Sequence, residues 1–234
     1  MPYYYYGFDY TYLVLVLPAV LLGLWAQMRV QSNFKKYSQV RSRRGATADQ
    51  VARGILNENG LGHVRIERVS GSLSDHYDPR TETVRLSDTV YGSPSIAAIG
   101  VAAHEVGHAI QHARHYAPLT LRNAIIPITN IGSTLSMPLI IAGLIFNSST
   151  LAFAGILLFG GVAVFQLITL PVEYNASRRA MATLDSQGIL DKDELKGTQK
   201  VLSAAALTYV AALITSLAQL LRLVLLVGGN RRRD

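Results

Sequence analysis

The residues His104-Glu105-Val106-Gly107-His108 combine two imidazoles and a carboxylate within five positions. The segment around them has the periodicity of a helix, on which residues at i and i+4 lie side by side. His104 and His108 are therefore predicted to reach one metal ion, and zinc favours nitrogen ligands of this kind. Glu105 is the residue type that takes a proton from a water molecule as it attacks a peptide carbonyl. The pentapeptide thus predicts half of a zinc hydrolase site.

A catalytic zinc ion has three protein ligands, and the two histidines supply only two of them. His112 continues the same row, but it lies about 6 Å farther along the helix axis, so a surface or interface position suits it better. The metzincin spacing would require a glycine at position 111 and a histidine at position 114, where this chain has Gln111 and Arg114. Glu173 is the remaining candidate, although a lone glutamate at a helix end is commonly just a solvated charge.

Long uncharged segments set the fold class. Half of the 234 residues are hydrophobic, and no charge occurs in residues 11–28, 124–170 or 201–221. Each segment is about 18 residues or longer, the length of a helix that crosses a bilayer, and the alternative for each is a buried core helix. The predicted fold is an α+β membrane protein: mostly helical, with about four transmembrane helices and a small zincin-like soluble domain that carries a short sheet and the His104–His108 helix.

The order of the segments brings Glu173 back toward the histidines. Residues 124–170 are predicted to form a transmembrane hairpin that turns at Asn147–Thr150. A chain that crosses the membrane twice returns to the side that it left, so Glu173 is expected next to His104 and His108.

The chain is predicted to divide into five parts. A capping-box pattern at Thr47–Gln50 predicts a short helix, alternation predicts strands near residues 64–69, 73–77 and 83–86, and Ser93-Pro94 predicts the start of the motif helix. Residues 29–46 resemble a linker. The predicted boundaries are 1–28 for an N-terminal transmembrane anchor, 29–123 for the catalytic region, 124–170 for the transmembrane hairpin, 171–200 for the helix with the third ligand, and 201–234 for a C-terminal membrane helix with a basic tail.

The net charge of +7 is explained by the membrane rather than by nucleic acid. Basic residues cluster directly after the first apolar segment, which by the positive-inside rule predicts a multi-pass protein of the cell membrane with its active site on the cytoplasmic side. The expected partners are the lipid bilayer and a protein or peptide substrate. The chain has no cysteine, which excludes a thiol nucleophile, thiolate zinc ligands and disulfides.

Three stretches of sequence carry a family resemblance. The zinc helix, the hairpin and a following glutamate resemble the membrane-bound gluzincins of the HtpX and CAAX-protease type, except that Ser177 replaces an aspartate that supports a ligand histidine there. The chain resembles more closely the YugP-type membrane zinc metallopeptidase family over nearly its whole length. The stretches that carry this resemblance are Leu73–Arg80, Ala102–Gln111 and Leu170–Ser177.

That resemblance implies a zinc-dependent metalloendopeptidase of the membrane. It implies that His104, His108 and Glu173 bind one Zn²⁺ and that Glu105 is the general base. Peptide bonds of membrane-associated or misfolded proteins are the expected substrates.

Hydrolysis also requires a group that stabilises the oxyanion. His76 and Arg178 are predicted as catalytic residues in this role, ahead of Tyr77, Tyr174 and Arg179. The structural alternative is that residues 75–78 only shape a turn and that Arg178 only faces lipid headgroups. A substrate could lie along residues 73–77 as an added strand.

Two other functions compete with the peptidase. A catalytically silent membrane scaffold or adaptor would retain a structural zinc site. The presence of Ser177 in place of the gluzincin aspartate is compatible with this alternative. A metal transporter is weaker, because no ionisable residue lies inside the first three membrane segments, where a transit path needs one.

Overall fold

The chain is mostly helical, with one small sheet. The computed structural model describes residues 10–230. A π-helical turn at Tyr12–Val16 leads into α1. The elements that follow are α1 (Leu17–Tyr37), α2 (Ala48–Glu58), β1 (Arg65–Val69), β2 (His76–Asp78), β3 (Thr83–Ser87), α3 (Ile96–Ala113), α4 (Ala117–Ile145), α5 (Ser149–Ser186) and α6 (Lys192–Asn230).

Within the described residues, four helices are long and apolar enough to cross a membrane, judged by length and composition. They extend over Tyr12–Tyr37, Ala117–Ile145, Ser149–Ser186 and Lys192–Gly228. The first continues past Met28, so residues 29–37 are helical rather than part of a linker. The predicted basic tail, Arg231–Arg233, lies outside the described residues.

The residues divide into two compact units, here called the apolar unit and the site unit. Within the described residues, the apolar unit comprises residues 10–26, Leu121–Leu170 and residues 208–230. Within it, α4 and α5 meet closely after a short turn, because a Cβ at Gly132 would lie 3.1 Å from the carbonyl oxygen of Leu158. Ile140, Ile156 and Leu223 form its buried cluster.

The site unit comprises Gln27–Thr120 and Pro171–Leu207. Its core is built from apolar residues of α2, α3 and the sheet, together with Leu184, Leu190 and Val201 from the later segment. The sheet order is β1-β3-β2, with β3 central, parallel to β1 and antiparallel to β2. The strand β2 therefore lies at an edge.

Local corrections to the predicted elements have simple causes. The N-cap of α3 is Ser95, whose Oγ accepts the Ala98 N–H at 3.2 Å, so the prediction of Ser93 with Pro94 was two residues early. The second strand begins only at His76, because Leu73 has a φ of 58°, which extended backbone does not adopt. At α2 the capping box is confirmed, since Gln50 Oε1 accepts the Thr47 N–H at 3.1 Å.

An ion-pair network ties the start of α6 to the segment after α1. Arg43 binds Asp191 at 2.7 Å and Asp193 at 2.5 Å, and its backbone N–H donates to Glu194. Glu194 also accepts the Asp191 N–H at 2.8 Å, which satisfies an otherwise free donor at the helix N-terminus. Residues 148 positions apart in the chain are thus joined within the site unit.

Helices α3 and α5 come into backbone contact at Gly107. A Cβ at this position would lie 2.9 Å from the carbonyl oxygen of Ala176, a separation that forces one helix to move. Glycine is needed here for close approach rather than for an unusual φ.

We expect Gly107→Ala to lower the free energy of unfolding by about 1–3 kcal/mol, because the added methyl overpacks the contact with Ala176. Gly54→Ala is the matched control, since Gly54 lies on an exposed face of α2 with nothing near its missing Cβ. Alanine there should stabilise the helix by about 1 kcal/mol. Denaturation of the detergent-solubilised protein measures both; equal stability of the two variants would contradict the contact.

Candidate metal centre

Helix α3 brings the two histidines of the motif together. His104 and His108 lie one turn apart with their rings edge to face, the centroids 4.8 Å apart. Their Nε2 atoms are 3.2 Å from one another. The helix is buried along most of its length, so these polar side chains are held on a packed scaffold.

Glu173 of α5 completes a three-residue cluster within the site unit. Its Oε2 lies 3.3 Å from His104 Nε2 and 3.5 Å from His108 Nε2. The side chain is 3% exposed, and His108 is 8% exposed. Among the described residues, this is the group of histidines and acids whose ligand atoms converge closely enough for one metal ion.

The cluster fits zinc in both shape and charge. Two ligand atoms of a tetrahedral zinc ion lie about 3.3–3.5 Å apart, and the three separations here are 3.2, 3.3 and 3.5 Å. Burial disfavours the charged His108 ring, yet the carboxylates of Glu173 and Glu105 outweigh it and hold the pKa of His108 above its ordinary value. The cluster therefore favours a positive charge at its centre, which a cation would supply.

Each histidine of the cluster has a neutral partner on its other ring nitrogen. Ser177 Oγ lies 3.0 Å from His104 Nδ1, and Gln111 Oε1 lies 3.0 Å from His108 Nδ1. Ser177 occupies the position of an aspartate in the gluzincins that this chain resembles, and it still contacts the His104 ring. Its hydroxyl can donate or accept a hydrogen bond, whereas an ionised aspartate can only accept one.

Glu105 follows His104 directly and is 8% exposed. It is near enough for its charge to raise the pKa of His108. A carboxylate beside the ligand cluster is the group that a water-activating base requires.

The residues of the predicted turn divide into structural and exposed ones. Asp75 accepts from the Ser87 N–H and hydroxyl at 2.7 and 2.9 Å, and burial raises its pKa. Asp78 accepts from the Arg80 N–H and from Thr81, as a turn-shaping carboxylate does. His76 is exposed at the start of β2, with its Nδ1 2.8 Å from the Ser74 carbonyl oxygen.

The other oxyanion candidates also differ in their surroundings. Arg178 and Tyr174 are exposed on α5. Arg179 donates to Asn175 at 2.7 Å. Tyr77 Oη lies 2.9 Å from His112 Nδ1, and burial raises the pKa of Tyr77 to about 12, so its phenol stays protonated at neutral pH.

The sequence missed two contacts of the site unit. They are the bond between Tyr77 and His112 and the bonds from Gln111 to Val172 and Asn175 of α5. The bonded residues lie 35 to 64 residues apart in the chain. No local periodicity signals such pairs.

The described residues contain a buried cluster of two histidines and one glutamate that fits zinc, together with four candidate membrane helices. This combination is typical of membrane zinc metalloproteins. Residues 12–228 match the family described as putative neutral zinc metallopeptidase, and the chain belongs to that family. It is 49% identical over 220 residues to the "Putative membrane protease YugP" of Bacillus subtilis (strain 168), covering 94% of this chain and 98% of that protein. No solved structure is significantly similar to it. The family resemblance stated from the motifs is confirmed.

Ser177→Ala should weaken zinc binding about 10-fold, because His104 loses the partner that orients its ring. Ser177→Asp should strengthen binding relative to the alanine variant, because a carboxylate accepts from Nδ1–H and makes the ring more basic. Competition with a chelator measures both affinities. Ser186→Ala, which removes a hydroxyl at the exposed end of the same helix, is the control. An unchanged affinity in Ser177→Ala would contradict the assigned contact.

Proposed function

We propose that this protein is an integral-membrane, zincin-like metalloendopeptidase that cleaves membrane-associated or misfolded proteins. The observation that carries the proposal is the convergence of His104, His108 and Glu173 at tetrahedral spacing beside Glu105. Membership in a zinc metallopeptidase family and the name of the Bacillus relative support the same activity.

The three ligand residues would hold one zinc ion, which supplies Lewis acidity toward the substrate carbonyl and lowers the pKa of water. Glu105 takes the proton of the attacking water and later passes it to the leaving amine. His108 and Glu173 are buried, so bulk water has little access to them, which strengthens the electrostatic interactions there. His76 or Arg178 is proposed to stabilise the oxyanion, since both side chains are exposed and able to approach a substrate.

The edge strand β2 is the proposed platform for the substrate. It is paired with β3 on one side only, and it contacts α3. An extended peptide can add to a free strand edge through backbone hydrogen bonds, which gives affinity with little dependence on sequence. Such recognition suits unfolded segments.

The sharpest test of the activity is Glu105→Gln. This variant should bind one zinc ion per chain, as the unaltered protein does, because Glu105 is not one of the three ligands. Its cleavage of an unfolded protein should fall by about 10²–10⁴-fold, the usual contribution of a general base. Metal analysis and proteolysis of a casein-like substrate provide the readouts. Zinc in both proteins with cleavage by neither, across a broad substrate panel, would favour the silent scaffold instead.

His76→Ala should lower turnover while bound zinc stays stoichiometric, because His76 is proposed to act on the substrate and not on the metal. Arg178→Ala is compared in parallel, and Arg80→Ala, an exposed arginine in the turn after β2, serves as the control. Loss of zinc from the His76 variant would contradict its assignment.

We further propose that the site faces the cytoplasm at the membrane surface, since the basic cluster follows the first apolar segment and Glu173 comes three residues after the end of the uncharged segment 124–170. The chain has no cysteine, so a single introduced cysteine is the only thiol that a reagent can label. In intact cells, an impermeant thiol reagent should label Asn147→Cys and leave Arg114→Cys unlabelled until the membrane is permeabilised. The reverse pattern would place the site outside.

A further inference from the structure

Gln111 lies at the junction of the two elements that provide the metal ligands. It is on α3, three residues after His108, and it is fully buried. Its amide contacts three groups: His108 Nδ1 at 3.0 Å, the Val172 carbonyl oxygen at 2.8 Å and Asn175 Oδ1 at 3.0 Å. A buried amide with each of its polar atoms engaged is fixed in position.

The orientation of the Gln111 amide follows from groups whose hydrogen-bonding role is fixed. Arg179 can only donate, and its Nε lies 2.7 Å from one atom of the Asn175 amide, so that atom is the oxygen. The Gln111 atom that faces both this oxygen and the Val172 carbonyl must therefore be the NH₂ group. Its own oxygen is left to face His108.

This orientation decides which nitrogen of His108 carries a proton. Gln111 Oε1 can only accept, so the Nδ1 that faces it at 3.0 Å must be the donor. Nε2 is then the nitrogen left to bind a metal ion, and it is the atom that faces Glu173 and His104. The partner of His104 imposes no such choice, because the Ser177 hydroxyl can donate as well as accept.

The same amide fixes the neighbouring part of α5. Val172 immediately precedes Glu173, so the bond from Gln111 to the Val172 carbonyl holds the backbone from which the third ligand extends. One side chain thus restrains both His108 and the segment that carries Glu173.

We propose that Gln111, with its amide oriented through Asn175 by Arg179, is a positioning residue that holds His108 in the Nδ1–H form with Nε2 directed at the metal. The proposal rests on the proposed metal site. It assigns to Gln111 the supporting role that a carboxylate or carbonyl oxygen commonly has toward a metal-bound histidine.

Chelator competition on the full-length protein in detergent tests the role in metal binding. Gln111→Met keeps the length of the side chain and should bind zinc about 10–100-fold more weakly. Gln111→Glu keeps the acceptor for His108 but loses the two donated bonds, so it should bind zinc more tightly than the methionine variant. Thr198→Val is the matched control, because Thr198 makes another buried bond to α3, at Ile96, away from the ligands. It should lower stability but leave zinc affinity unchanged.

A second readout follows the ring rather than activity. In the zinc-loaded protein labelled with ¹⁵N-histidine, NMR should show His108 bound through Nε2 with a slowly exchanging proton on Nδ1, and Gln111→Met should speed the exchange of that proton. Zinc affinity unchanged in Gln111→Met, an equal loss in Thr198→Val, or a His108 ring bound through Nδ1 would each overturn the positioning role. If Gln111→Met weakens zinc binding as expected but the unaltered protein cleaves no substrate, the proposed peptidase function fails while the positioning role of Gln111 is upheld.

Discussion

The candidate metal centre depends on how closely two helices approach each other. At Gly107 the backbone of α3 lies against that of α5 near Ala176, with no room for even one methyl group. His104 and His108 flank this glycine on one helix, while Glu173 and Ser177 flank Ala176 on the other. The short distance between the backbones is what allows a glutamate to reach both imidazoles at once. A glycine between the two histidines therefore has a geometric role as definite as that of the ligands.

The groups that contact the outer nitrogens of the two histidine rings are uncharged. Serine and glutamine contact the outer nitrogens of the two rings, and an asparagine links the glutamine to Arg179. Neutral partners orient imidazole without adding negative charge, so the ligand cluster itself has one formal charge, on Glu173. A divalent ion there retains a net positive charge, which favours polarisation of a bound carbonyl.

Much of this arrangement could be predicted from sequence because it is local or repetitive. The i, i+4 spacing of the histidines predicted their shared helix face, and long uncharged segments predicted four candidate membrane helices. Glu173 was predicted from the order of the segments and from the family resemblance. Periodicity alone gives no information about a residue 65 positions after His108. The cap of α3 was misplaced because Ser93 and Ser95 both offer hydroxyl groups. Tertiary hydrogen bonds from the Ala48 and Ser42 N–H groups to the Ser93 and Pro94 carbonyl oxygens hold the first of these outside the helix, and periodicity does not show such bonds. The contacts of Gln111 with α5 and of Tyr77 with His112 were not predicted, because these partners are distant in sequence.

The site unit is discontinuous in the chain, and this has a consequence for biosynthesis. Its first segment ends at Thr120 and its second begins at Pro171, so a nascent chain carries both histidines before it carries the third ligand. At a synthesis rate of roughly 5–20 residues per second, Glu173 emerges about 3–13 s after His108. The groups that fix α6 beside Arg43 emerge later still. A chain that stalls during insertion of the intervening apolar segment therefore lacks Glu173, so the candidate metal centre is complete only after this part of α5 has been made.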